Sequence, residues 1–239
     1  MKKMSLVILA LGLCASIQAQ TLLGAWESTG TDKEGQQIKN VVIFSEGHQV
    51  STWFDVKTGA FMDTNGGEWF LNGSTITETV EFDTKSPERV GTQISFEIDL
   101  SENKLKTKDS NRIWTRIDNG TPGLLSGAWI MSGRKRNGEL QSRDTSRPRK
   151  TMKILSGTRF QWIAYNTETK QFMGTGGGSY TTIDGKYTEN IEFFSKDDSR
   201  VGASLEYNFE LKDDDWHHSG LSSKGQPIYE VWSKRKSMK

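Results

Sequence analysis

Two glutamates sit where an alternating pattern calls for apolar residues. In Ile76-Thr77-Glu78-Thr79-Val80-Glu81-Phe82, Glu78 shares its face with Ile76, Val80 and Phe82; Glu189 does the same with Tyr187, Ile191 and Phe193. An acid on such a face must be paired or hold its proton, because unpaired buried charge is costly. Each could anchor the polar group of a ligand or act as a general acid or base. Each could equally close a structural salt bridge, with Arg89 and Arg200 as the available partners.

Trp216-His217-His218 holds two of the three histidines. Neighbours on a strand point to opposite faces, so only one of His217 and His218 can face inward. Two adjacent histidines cannot readily share a metal ion, and no metal site is expected. One of them could hydrogen-bond a ligand or carry a proton, or could be a rim histidine with no ligand. Nearby in sequence, Arg134, Lys135, Arg136, Arg143, Arg147, Arg149, Lys150, Lys153 and Arg159 crowd into 26 residues, opposed by Glu139 and Asp144. Such a cluster can attract a carboxylate, sulfate or phosphate, or can simply be a solvated loop. Phe160, Trp162, Tyr165 and Phe172 could stack a ring or a sugar face, or could be core. Phe160 to Tyr165 is apolar on both faces, so parity does not assign an inside. Gly174-Thr175-Gly176-Gly177-Gly178-Ser179 has the composition of a phosphate loop but leads into a strand, which favours a bulge. No nucleophile elbow or paired-carboxylate spacing stands out, and no motif points to a cofactor.

The elements that must position these residues come in two copies. Leu23-Gly24-Ala25-Trp26 returns as Ser126-Gly127-Ala128-Trp129. Phe61-Met62, Gly66-Gly67, Glu78, Glu81-Phe82 and Arg89-Val90-Gly91 recur 111 positions later, and Trp114-Thr115-Arg116 echoes in Trp232-Ser233-Lys234-Arg235. This is an internal duplication. Within each copy the period is two, as in Val90 to Leu100 and Val201 to Leu211. About eight such segments per copy, cut by turns such as Asn72-Gly73 and Asp184-Gly185, imply an all-β protein of two tandem up-and-down antiparallel β-barrels. The expected divisions are a signal peptide at 1–19, a first barrel at 20–118, a linker at 119–123 and a second barrel at 124–239.

The copies differ at two places. Between Gly138 and Thr151 the second is eight residues longer, the offset moving from 103 to 111, and between Leu211 and Trp232 it gains seven more. In an up-and-down barrel both expansions fall at the same rim, the first in the loop between strands one and two, the second around Ser219 to Gly225. The second barrel is therefore expected to carry the pocket, the first to be a reduced copy packed against it.

Lys2 and Lys3, the apolar run Leu6 to Leu13 and Ala19 before Gln20 read as a cleavable signal peptide, which implies a secreted or periplasmic protein. The residue before Cys14 is Leu13, too large for a lipid-attachment site. Cleavage takes the 31 basic residues to 29 against 30 acidic ones and removes the single cysteine. A disulfide, a thiol nucleophile and a Cys-ligated metal are thereby excluded. Near-neutrality argues against nucleic acid, and no later segment is apolar enough to span a membrane.

Gly24-x-Trp26 near the first strand with Arg116 on the last, and Gly127-x-Trp129 with Arg235 or Lys234, resemble the lipocalin signature. In that family the Trp closes one end of the barrel and the cation lies across its indole. The chain departs from full lipocalins in lacking their C-terminal helix and disulfide. The resemblance implies a small-ligand-binding protein, similar to secreted bacterial lipocalin-like proteins. Its anionic or amphipathic ligand would meet Arg134, Arg143 and Arg159 at the second mouth, Trp162 and Tyr165 along its body, and Glu189 with His217 or His218 at a polar group. Two alternatives stand: an isomerase, lyase or hydrolase using Glu189 with His217 or His218, and a protein or glycan interaction module without a pocket.

Overall fold

The computed structural model describes residues 22–222 and 225–236. The expected signal peptide lies outside these residues, as do residues 223 and 224 of the second expansion. The first repeat folds as β1 (Gly24–Thr31), β2 (Gln37–Ser45), β3 (His48–Asp55), β4 (Phe61–Asn72), β5 (Thr75–Asp83), β6 (Gln93–Leu100), β7 (Lys104–Thr107) and β8 (Ile113–Asp118). Each strand pairs antiparallel with its neighbour in sequence, and β1 pairs with β8 to close the barrel. The second repeat comprises β9 (Gly127–Arg136), β10 (Glu139–Ser142), β11 (Arg149–Leu155), β12 (Arg159–Asn166), β13 (Phe172–Ile183), β14 (Lys186–Phe194), β15 (Ser204–Lys212), β16 (Asp215–Leu221) and β17 (Pro227–Lys234). Here β9 pairs with β17, closing eight strands, while β10 pairs only with β9. The two closed eight-stranded barrels fit a lipocalin-like tandem fold.

The same plug closes both barrels. Trp26 Nε1 donates to Leu22 O at 3.0 Å and Trp129 Nε1 to Leu125 O at 2.8 Å. The Arg116 guanidinium lies 3.9 Å above the Trp26 ring, and Lys234 takes that role 5.5 Å from Trp129. Of the two residues considered for the second plug, Arg235 is thus the one that is not used. Gly24 is obligatory here: its φ is +115°, and a Cβ would stand 2.1 Å from the Asp118 carbonyl oxygen of β8.

The barrels share one apolar interface. Ala25, Val41, Ile43, Val50, Phe54 and Phe82 of the first pack with Ala128, Met152, Ile154, Ile163, Tyr165 and Phe193 of the second. Equivalent residues exchange across it. Phe54 stacks on Phe193 at 5.0 Å, and Tyr165, the counterpart of Phe54, meets Phe82, the counterpart of Phe193, at 4.8 Å. Phe61 stacks on its own counterpart Phe172 at 5.8 Å. The Gln161 amide bridges Thr64 and its counterpart Thr175, at 3.0 and 2.9 Å. This is the self-complementary pattern of a two-fold dimer, built within one chain. It also explains why β2 and β12 lose their alternation: one face lines a lumen and the other the interface, so both are buried. At the linker the Asp118 carboxylate accepts from Ser156 Oγ, Gly157 N and Thr158 N at 2.8 to 3.0 Å, tying the end of β8 to the second barrel.

The first expansion does not form a simple loop between two strands. Asn137 and Gly138, both at positive φ, make a tight two-residue turn that brings β10 back along β9, and the chain then breaks at 143–148 before β11 resumes the pairing. The second expansion lengthens the β16–β17 hairpin, and Glu230 of that hairpin stands opposite Arg134 of β9. The two expansions therefore meet in one raised rim.

Candidate functional site

Each barrel encloses a cavity reached from the end opposite its Trp plug. The cavity in the first barrel measures about 570 Å³, that in the second about 280 Å³. By sequence the pocket is expected in the second barrel; a cavity is present in both, and the one in the first barrel is the roomier. The cause lies in a few exchanged side chains. Val42, Gln49 and Ser51 line the first cavity, and the second has Lys153, Phe160 and Trp162 at the same strand positions.

In the first barrel the glutamate Glu78 lies on the inner face of β5, 4% exposed, with Oε1 buried and lacking any hydrogen-bond partner. Burial pushes its carboxyl up to about 7, against the opposing influence of Gln49 and Arg89. Arg89 is not its salt-bridge partner: Nη1 lies 3.1 Å from Asp83 Oδ2. Ile76, Phe96, Ile98, Trp53 and Trp114 line the same cavity. Arg112 covers the Trp53 ring at 4.2 Å near the mouth, and Trp114 Nε1 donates to Asn40 Oδ1 at 2.6 Å. The cavity wall is thus mainly apolar and aromatic, with Glu78 buried in it and Asp109, Arg89 and Arg112 also lining it. Its size falls within the range typical of small-molecule sites.

In the second barrel the counterpart Glu189 is satisfied from within. Lys153 Nζ donates to its Oε1 at 2.7 Å, and Tyr187 OH donates to the same oxygen at 2.8 Å. The lysine ammonium also lies 4.9 to 5.2 Å from the ring centres of Trp216, Tyr187 and Trp232. It is a cation in an aromatic cage, a favourable place for a charge away from water. The expected partner Arg200 instead bonds Asp197 at 3.2 Å.

The remaining expected site residues are dispersed. Trp162 and His218 do line the second cavity, and His218 Nδ1 lies 3.3 Å from Glu230 Oε2. His217 points outward and bonds Tyr229 OH at 2.8 Å, in keeping with the alternation of a strand. Arg143 reaches the rim, with Nη1 2.7 Å from Met131 Sδ, and Arg134 stands opposite Glu230. Tyr165 and Arg159 leave the group altogether. Tyr165 is fully buried between the barrels and donates to Glu81, and Arg159 makes two bonds to Glu192 at 2.5 and 2.6 Å. Both lie on the outer face of β12, because Phe160 and Trp162 take the inner one. The glycines of β13 serve packing: a Cβ at Gly176 would stand 2.8 Å from Trp162 and 2.7 Å from Phe194. The sequence pattern does not single out Gln49, Trp53 and Arg112, and it shows Lys153 only as one charge among nine. The position of Lys153 one repeat after Val42, on the face shared with Glu189, is the available signal.

His48 with Glu68 and Glu81 forms a group of potential metal ligands, His48 being fully buried with neither ring nitrogen bonded. Glu81 is already held by Arg235 through two bonds of 2.7 Å and by Tyr165. A divalent cation would have to displace that guanidinium, so the arrangement serves cohesion between barrels better than metal binding.

Fold and cavities together define a tandem of closed β-barrels with a buried, duplicated glutamate, Glu78 or Glu189, in the wall of each lumen. Residues 124–239, which span the second barrel, match a family described as a domain of unknown function (DUF4488). No curated protein matches the chain. Among the described residues no helix is long and apolar enough to cross a membrane.

Proposed function

We propose that this is a lipocalin-like binding protein that takes a small amphipathic molecule into the lumen of its first barrel. The observation that carries this reading is the cavity of about 570 Å³ with the buried Glu78 carboxyl in its wall, whose Oε1 has no hydrogen-bond partner. A buried carboxyl oxygen without a hydrogen bond costs stability that a ligand donor would restore. Trp53, Phe96 and Trp114 offer the apolar and stacking surface for the body of such a ligand. The second barrel acts as a support whose own cavity is largely filled by its side chains. The N-terminal sequence supports export, so that the ligand would be met in the periplasm or outside the cell.

Mass spectrometry of small molecules released from natively purified protein tests this. Ser51→Trp places in the first lumen the residue the second carries at that position. A compound recovered from the wild type should be absent from this variant. Equal recovery from both, or none from either, would count against a lumenal site.

A further inference from the structure

The second barrel shows how this scaffold satisfies its inward glutamate, and that solution names the missing partner in the first. Lys153 stands where the first repeat has Val42, and Glu189 where it has Glu78. In the second lumen a primary ammonium therefore fills the space beside the carboxylate, 2.7 Å from its oxygen and faced by aromatic rings. In the first lumen the carboxylate remains and the rings are partly kept, Trp114 and Phe96 standing at the positions of Trp232 and Tyr207. The ammonium is gone, and the cavity is about 570 rather than 280 Å³.

We infer that the first lumen binds a ligand bearing a primary amine, whose ammonium takes beside Glu78 the place Lys153 Nζ holds beside Glu189. This deepens the lumenal reading above and rests on it. The ammonium would donate to the buried Oε1 and lie toward Trp114 and Phe96. The rest of the ligand would extend toward Trp53, where Ser51 leaves the space that Trp162 fills in the other barrel. A carboxylate in the same place would meet the like charge of Glu78.

Calorimetry at pH 7.5 with three probes of one shape decides the matter: 2-phenylethylamine, 2-phenylethanol and 3-phenylpropionate. The amine should bind the wild type at one site and more tightly than either of the others. Glu78→Gln should weaken it by about 10- to 100-fold, the worth of a charge-assisted bond. Val42→Lys should abolish amine binding, because it supplies the ammonium from within. Amine affinity unchanged in Glu78→Gln, or an alcohol or acid bound as tightly as the amine, would overturn the inference while leaving a lumenal site standing. Should no probe bind and Ser51→Trp release the same compounds as the wild type, the lumenal reading itself fails and this one with it. Val42→Lys adds a charge to a core position, so its circular dichroism is compared with that of the wild type; Glu78→Gln alone decides the outcome if Val42→Lys does not fold.

Discussion

Arg235 at the end of the second barrel holds Glu81 of the first by two parallel hydrogen bonds, Nη1 to Oε2 and Nη2 to Oε1, each 2.7 Å. The counterpart of Glu81 is Glu192, which is held by Arg159 of its own repeat. Arg159 in turn corresponds to His48, a buried ring without hydrogen bonds on its nitrogens. The first repeat thus carries a histidine where the second has the arginine that neutralises its glutamate, and the second barrel supplies that charge. What is a local ion pair in one copy is an inter-barrel clamp in the other.

Removing one side of that clamp should destabilise the whole chain. Arg235→Met leaves Glu81 buried against Tyr165 with no cation, at a cost of about 3 kcal/mol. His48→Arg in that background should recover part of the loss by restoring the pairing seen at Arg159 and Glu192. Urea unfolding of the wild type and the two variants measures both effects. A midpoint unmoved by Arg235→Met would mean that the apolar interface alone joins the barrels.

The lysine of the second lumen is an internal ligand, and ligands can be replaced. Lys153→Ala should cost about 3–5 kcal/mol, because it strands the Glu189 carboxylate among aromatic rings. Addition of n-butylamine should then raise the melting temperature of Lys153→Ala and leave that of the wild type unchanged. Loss of stability without amine rescue would show that the aliphatic stem of Lys153 contributes more than its charge.

How much of this can be read from the sequence depends on how many faces of a strand are buried. On β6 and β15 one face meets solvent, and the alternation of Val90 to Leu100 and Val201 to Leu211 points to the barrel directly. The plug tryptophans and the inward glutamates are legible for the same reason, each being fixed by local spacing. On β2, β3, β11 and β12 the second face is covered at the contact between barrels, and parity then carries no information. Tyr165 and Arg159 fit a mouth by sequence on that account, although they lie on the outer face of β12. The pairings of Lys153 with Glu189 and of Arg235 with Glu81 join residues 36 and 154 positions apart, so only closure of the sheets brings them together.

Gly59 tests how tightly the barrels approach. It has φ +70°, and a Cβ there would stand 2.3 Å from the Glu192 carbonyl oxygen and 2.7 Å from the Val201 methyl groups across the interface. Gly35 has φ +83° with nothing within 4 Å of that position. Alanine at either site carries the backbone strain of a left-handed residue, but only Gly59→Ala also forces the barrels apart. Gly59→Ala should therefore be less stable than Gly35→Ala by about 1–3 kcal/mol, the usual range for overpacking. Thermal unfolding of the pair gives the difference, and equal losses would mean that the interface yields freely at this point.

Two buried groups set opposing slopes in the dependence of stability on pH. Glu78 is raised from 4.5 to about 7, so the folded state holds its proton where the unfolded chain has released it. Its contribution is fully present below about pH 4.5 and is lost as the pH rises through about 7, a loss of about 3 kcal/mol. His48 is lowered from 6.5 to about 4 by burial, with Arg235 adding to the effect. Its contribution is present above about pH 6.5 and is lost as the pH falls toward 4. Between about pH 4.5 and 6.5 the two offset one another, and from about 6.5 to just above 7 the Glu78 slope stands alone. Glu78→Gln should accordingly be more stable than the wild type at pH 8, and its stability should rise more steeply between pH 4.5 and 6.5. His48→Gln should shift the slope in the opposite sense. Urea unfolding at half-unit intervals of pH measures both, and parallel curves for wild type and Glu78→Gln would show that the Glu78 carboxyl ionises in the folded barrel as it does in water.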